Sequence, residues 1–329
     1  MGFLVVIFVL GPTPETPAYE TSLPFTADSA DPEFIVDSME SSLRIKPGNR
    51  AEVIWADPVS KKKTEVALVY LHGFTASHRE GFPTHLEFAK RYGCNLYLAR
   101  LADHGLVSDE PLLGYSPDSV WESAKQAYAV GKKLGNKVII MSTSTGGTLA
   151  LRLAATYPEI AGLINYSPNI EINDPAAFML NDPWGLQIAR LVFGGNYRTV
   201  PADEEYKRFW YDRYRLEGIV ALQELVESTC TEEVFERVRC PVFNGVYYKD
   251  EENQDPVVRV DAVEEMHDRL STPENKKVLV KFPDAKTHVI ANKKRCYSWE
   301  EVINATFDFA DKVLELKQVE YIREESNPI

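Results

Sequence analysis

Cysteine is scarce in this chain. Four cysteines among 329 residues, Cys94, Cys230, Cys240 and Cys296, are too few for a disulfide scaffold, and none stands in the CxxC spacing of a metal site. Positive charge is also short. Lys and Arg number 36 against 49 Asp and Glu, a net charge of −13. Such a surface repels nucleic-acid phosphates and anionic headgroups, which excludes nucleic acid as a partner and leaves neutral or cationic small molecules open. The apolar run Phe3–Leu10, FLVVIFVL, has eight residues, far below the roughly 20 that span a bilayer. It fits the core of an export signal or a trimmed membrane anchor, although no Lys or Arg precedes it; the alternative is an arm packed on the domain. The compartment therefore stays open between cytoplasmic and exported or anchored.

What is present is globular. Apolar residues at 44% and charged residues at 26% are close to globular averages and rule out disorder, collagen and coiled coil. Residues 11–34, rich in Pro, Ser, Thr and acids, read as an extended arm. Ala51–Ala56 suggests an edge strand. From there apolar runs of strand length recur at Val66–Leu71, Asn95–Leu101, Val138–Met141, Ile160–Tyr166, Val242–Tyr248 and Val278–Phe282. Runs this continuous belong to strands covered on both faces. Helical patterns lie between them: one opened by Ser116-Pro117 and ended at Gly135-Asn136, one from Ser144 to about Tyr157, then Asp261–Leu270 and Ser298–Leu316. Alternation of this kind predicts an α/β fold, a mainly parallel sheet with helices on both faces. Residues 171–235 break it. They carry helical patterns at Asp182–Phe193, Pro201–Tyr214 and Leu216–Val226 without a buried strand, and read as a helical insertion over the carboxyl edge of the sheet. The chain thus divides into an N-terminal apolar segment and arm (1–34), a core (35–170 and 236–329) and a cap (171–235).

The chemistry concentrates in VIIMSTSTGGTLAL, residues 138–151. A buried strand meets Ser144 and a helix begins at once, with small neighbours Ser142, Gly146 and Gly147. So tight a strand-to-helix turn strains its central residue and aims the side chain out of the sheet, while the helix start favours negative charge beside it. The pattern is G-x-S-x-G with Ser142 in the first glycine position; the plainer alternative is a serine that only caps a helix. His72-Gly73-Phe74 follows the first buried strand and can point the Phe74 N–H at the same place. With the Thr145 N–H it would form an oxyanion hole, in which losing one donor costs about 3–4 kcal/mol.

With these motifs the chain resembles the α/β-hydrolase superfamily, most of all short-capped carboxylesterases and monoacylglycerol lipases, whose oxyanion strand likewise ends in LHGF. The resemblance spans about residues 50–318 and implies an α/β-hydrolase fold with a cap, ester hydrolysis and no metal or organic cofactor. Two departures stand out: Ser142 for Gly, expected to alter the elbow slightly, and Asp103 for the Gly before His104 in the turn Arg100–Gly105. The family's order, Ser, then acid, then His, implies His288 as the base, in KFPDAKTHVI after the last strand; His267, mid-helix in AVEEMHDRL, reads as a surface residue. The acid has two candidates. Asp255 opens the family-like stretch Asp255-Pro256-Val257-Val258, and Pro256 biases it to an extended backbone. Asp250 stands where a shorter loop would put the acid, but Glu251 and Glu252 beside it want solvent. Asp255 is preferred. The cap aromatics Trp184, Phe209 and Trp210, with Met179, Leu180, Leu191, Phe193 and Tyr214, are candidates for an acyl-binding wall, unless they merely pack the cap onto the sheet. The implied reaction is acyl transfer from a small-molecule ester through Ser144, His288 and Asp255. Amide, thioester or peptide cleavage on the same triad, or a silent ligand-binding fold, are the competing readings.

Overall fold

The computed structural model describes residues 10–25 and 31–319. The expected export or anchor segment falls outside these residues except for Leu10, and among the described residues no helix is long and apolar enough to cross a membrane.

Ten strands are described: β1 (Glu52–Ile54), β2 (Thr64–Leu71), β3 (Asn95–Leu98), β4 (Gly135–Thr143), β5 (Gly162–Tyr166), β6 (Tyr197–Thr199), β7 (Arg213–Arg215), β8 (Val242–Asp250), β9 (Asn253–Gln254) and β10 (Lys277–Phe282). The main sheet runs β1-β3-β2-β4-β5-β8-β10. Every pairing along it is parallel except β1 with β3 at the edge, and β9 adds to β8 antiparallel. The apolar runs are double-sided for a visible reason. In β2, Ala67, Val69 and Leu71 enter the core under helices Pro117–Leu134 and Thr145–Thr156. Leu68 and Tyr70 enter the opposite core under Thr84–Tyr92 and Trp299–Lys312. A strand alternates faces residue by residue, so both sets must be apolar. The helix Pro117–Leu134 starts in a capping box between Ser116 and Ser119, with Pro117 at its first position.

The insertion between β5 and β8 is mostly helical but contains a hairpin. Helices Gly185–Val192, Glu204–Phe209, Leu216–Thr229 and Glu232–Arg237 accompany β6 paired antiparallel with β7. The helix expected over Pro201–Tyr214 therefore stops at Phe209. Trp210 is already extended, with φ −127° and ψ 163°, because the Arg213–Arg215 backbone is taken up by Tyr197–Thr199. The Arg213 guanidinium lies 3.3 Å from the Tyr197 ring centroid, and Arg215 reaches Glu110 at 2.6 Å and also pairs with Glu217. The aromatics of 206–214 thus follow packing needs, not a helical period. The arm is tied to the core: the Trp121 indole N–H donates to the Glu20 carbonyl at 2.7 Å, and Tyr19 Oη lies 2.6 Å from Ser228 Oγ.

Candidate active site

β4 ends at Thr143 and the next helix begins at Thr145, leaving Ser144 alone at the turn with φ 54° and ψ −121°. A non-glycine residue there is strained and is held by its surroundings. Its N–H donates to Tyr166 O at 3.0 Å, and its carbonyl accepts from Gly147 and Asn169. A Cβ on Gly146 would lie 2.2 Å from Leu71 O, and one on Gly147 would lie 2.6 Å from Pro168 Cβ, so only glycine lets the helix start this close to β2. Ser144 makes no side-chain bond to the helix start, which sets aside the capping role, and it lines a cavity of about 430 Å³.

His288 lines the same cavity. Its Nδ1 donates to Asp255, at 2.8 Å from Oδ2 and 3.0 Å from Oδ1. Asp255 is fully buried and also accepts the N–H groups of Val257 (2.9 Å) and Val258 (3.2 Å) on Oδ1. Burial opposes its charge, but the His288 ring and these donors outweigh it, and the carboxyl is held below its ordinary range. Burial likewise opposes protonation of His288, yet Asp255, and after it Glu80, raise it above the usual imidazole range. Asp250 does other work. Exposed at the tip of the β8–β9 hairpin, its Oδ1 accepts from Glu252 N, Asn253 N and Asn253 Nδ2. The extra loop residues are that hairpin, and they return the chain so that Asp255, not Asp250, meets His288.

Phe74 and Thr145 both line the cavity, and among the described residues the N–H of neither donates to a protein acceptor. Two buried histidines brace this turn. His72 Nε2 accepts from Leu101 N (3.1 Å) and Nδ1 donates to Gly73 O (2.9 Å); His104 Nε2 accepts from Thr75 N (3.1 Å) and Nδ1 donates to Ala102 O (2.8 Å). Each must be neutral to do so, and burial depresses both, His104 to about 4. Asp103 has φ 62°, a left-handed backbone that Asp tolerates better than most side chains, and its Oδ2 accepts from Gly114 N at 2.9 Å.

The expected wall is only partly there. Trp210 lines the cavity, with Leu180 and Tyr214. Trp184 does not: its N–H donates to Pro12 O at 3.1 Å, and its indole lies where a Cβ on Gly11 would stand, so it holds the arm. Phe209 does not either. It packs with Ala76 and Trp210 and faces Gly48, because the chain turns extended after it and sends only Trp210 inward. Leu191 and Phe193 are exposed. Two further features escape a reading of motifs. Glu80, fully buried, lines the cavity and accepts the Gly73 N–H at 2.6 Å; a lone acid in the Gly- and Phe-rich stretch before Pro83 was its only trace. Ser142, Asn165 and Asn244 are register partners across β4, β5 and β8 and form a buried ladder. Ser142 Oγ donates to Asn165 Oδ1 (2.8 Å), Asn165 Nδ2 to Asn244 Oδ1 (2.9 Å), and Asn244 Nδ2 to His267 Nδ1 (3.0 Å). His267 is therefore buried against the sheet, not a surface residue, and lone polar residues inside the runs GLINY and VFNGV were the signal.

The likeness to known proteins is consistent with this geometry. A thermostable monoacylglycerol lipase from Bacillus sp. (strain H-257) is 24% identical over 210 residues, 63% of this chain and 79% of that protein. Among solved structures, one from work on the metagenome-derived lipolytic enzymes LipS and LipT superposes with a TM-score of 0.63 at 18% identity, covering 82% of this chain and 100% of the other. A soluble variant of the Saccharomyces cerevisiae monoglyceride lipase, in complex with a substrate analogue, gives 0.55 at 13% identity, covering 92% and 100%. The model of the alpha/beta hydrolase family matches residues 68–292, a span that runs from the oxyanion strand through the elbow to just beyond His288, and the chain belongs to that family.

Proposed function

We propose that this protein is a serine hydrolase that cleaves carboxylic acyl esters of small molecules. The observation that carries the reading is that His288, which lines the same cavity as the strained Ser144, sets its Nδ1 against the buried Asp255. His288 Nε2 takes the Ser144 Oγ proton as Oγ attacks the ester carbonyl. The charge that develops on the carbonyl oxygen is met by the N–H groups of Phe74 and Thr145, and Asp255 holds the ring in the Nδ1–H tautomer and favours its charged form. His288 then gives the proton to the leaving alcohol, and the acyl group stays on Ser144. Water, deprotonated by His288 in turn, releases the acid and restores the serine. The wall favours esters of short to medium acyl chain: the cavity is modest in volume, and its apolar surface from Ile172, Leu180, Ile219 and Leu222 is interrupted by Asn173, Asp174 and Arg198. The lipolytic names among the similar proteins point to the same bond type.

A fluorophosphonate probe tests the nucleophile: it is expected to label the wild type and not Ser144→Ala, and labelling that survives the substitution would move the nucleophile elsewhere. A panel of p-nitrophenyl esters of increasing chain length, run beside matched amides and thioesters, tests the substrate. Faster turnover of the amides or thioesters would replace the esterase reading with one of the competing acyl transfers.

A further inference from the structure

Glu80 is a buried carboxylate that the triad does not use. It sits in the short helical turn His78–Gly81 after the oxyanion strand and is 3% exposed. A Cβ on Gly73 would lie 2.9 Å from Ser144 Cβ and 3.1 Å from both Glu80 carboxylate oxygens. The Gly73 backbone is thus held between the elbow and Glu80, with its N–H donating to Glu80 Oε2 at 2.6 Å. Gly73 is also the residue before Phe74: its N–H is held by Glu80 and its carbonyl, which shares a peptide plane with the Phe74 N–H, is held by His72 Nδ1, so the two bonds together set the direction of the Phe74 N–H. The groups that act on the Glu80 charge are the Gly73 N–H, the Trp210 indole, His288, Arg295, Tyr70 and Tyr206. Arg295 lies against the Trp210 ring at 4.9 Å and the Tyr206 ring at 5.4 Å. Asp255 and Glu80 are the carboxylates that act on the His288 charge.

We propose, resting on the reading of Ser144, His288 and Asp255 as the triad, that Glu80 is a positioning residue with two effects: it anchors the Gly73–Phe74 turn as an oxyanion donor, and it adds a second negative charge against His288. The anchor needs an acceptor oxygen at this spot, and the electrostatic effect needs an ionised one. Burial pushes the Glu80 carboxyl up to about 7, restrained by the Gly73 N–H, His288, Trp210 and Arg295. A proton arriving on His288 during acyl transfer therefore draws Glu80 toward its charged form.

Two substitutions separate the effects. Glu80→Gln keeps an acceptor oxygen and nearly the same volume but no charge. Glu80→Asp keeps the charge but falls one methylene short of Gly73. Hydrolysis of p-nitrophenyl butyrate is followed from about pH 5 to about pH 9, with thermal unfolding of each variant beside it. Removing a negative neighbour makes the imidazolium easier to deprotonate, so Glu80→Gln is expected to move the acid limb of kcat/KM to lower pH by about half a unit or more. Glu80→Asp is expected to lower kcat by about tenfold or more with KM little changed, as for a displaced oxyanion donor, and to leave the acid limb nearer the wild type. Variants that fold and match the wild type within about twofold across the whole profile would overturn the proposal, as would a loss that follows the unfolded fraction alone with the limb unmoved. Fluorophosphonate labelling keeps the two claims apart. Wild type labelled at Ser144 together with silent Glu80 variants would refute the Glu80 role only, whereas wild type that does not label at Ser144 would refute the triad itself.

Discussion

Ser142 stands where related elbows carry glycine, and restoring the glycine is expected to weaken this protein. Ser142 is fully buried and its hydroxyl is the donor that satisfies Asn165 Oδ1. Ser142→Gly leaves that oxygen buried without its donor, a loss of about 1–3 kcal/mol. Glycine inside a strand adds about 0.5–1 kcal/mol of backbone entropy lost on folding. Little opposes these terms, because the hydroxymethyl group is not clashing: even a Cβ placed on Gly147 would stand 3.5 Å from Ser142 Oγ, an ordinary contact. The expected destabilisation is about 1.5–4 kcal/mol, with Ser142→Ala nearer the lower end since it keeps the Cβ. Denaturant unfolding is the assay, read as a lower midpoint at unchanged slope. A double-mutant cycle of Ser142→Ala with Asn165→Ala should then give a coupling of about 0.5–3 kcal/mol. A Ser142→Gly variant as stable as the wild type, or a cycle that is simply additive, would refute the ladder as a stabilising element.

Asp255→Asn is expected to cut kcat by as much as about 10⁴-fold, as loss of a triad acid can, while Asp250→Asn keeps kcat/KM within about twofold; steady-state hydrolysis of p-nitrophenyl butyrate ranks the two, and the reverse order would move the acid to Asp250. The base must be neutral to act, and Asp255 and Glu80 raise His288 against the effect of burial. The acid limb of kcat/KM is therefore expected above about pH 6.5, the ordinary imidazole midpoint, and a limb at or below it would contradict the pairing. Trp210→Ala is expected to raise KM for butyrate esters by several fold, whereas Trp184→Ala, which does not line the cavity, should leave KM unchanged and act on thermal stability.

The sequence makes the fold and part of the site legible to different degrees, and the difference follows the range of the interactions. The double-sided strands are written in local composition, since every residue of Val66–Leu71 meets a core. Ser144 is legible for a different reason: its motif is local, an abrupt helix start with glycines within a few adjacent residues, although what the glycines answer to, Leu71 and Pro168, is distant in sequence. Asp255 needed more. Pro256 and the like charges beside Asp250 favour Asp255 in the sequence, and the structure adds what a linear reading lacks, a β8–β9 hairpin that folds the intervening residues back. The hairpin β6–β7 was hidden because its partners lie 14 or more residues apart and their aromatic spacing imitates a helix. Trp184 and Phe209 depart from the expected wall for a related cause: aromatic content says that a residue will be covered, and only tertiary geometry says whether substrate, arm or cap covers it.

The six histidines show how far residue type alone underdetermines chemistry. His72 and His104 use both ring nitrogens on backbone groups, accepting at Nε2 and donating at Nδ1, so a proton gained at either ring would break a bond to the chain. His85 donates from Nε2 to His78 O at 3.0 Å, and burial depresses it to about 3 and His78 to about 4. His267 accepts from Asn244 within the ladder and is depressed as well, chiefly by burial. His72, His104 and His267 accept through a ring nitrogen and so bond in their neutral form, and burial opposes protonation of all five. His288 alone among them sets Nδ1 against carboxylate oxygens, so its surroundings raise rather than lower its pKa, the sign that the proposed role as base needs. The rings of His72, His85, His104 and His267 brace turns beside the cavity and the sheet beneath it, whereas its carboxylate neighbours suit the ring of His288 to the proton transfer proposed for it.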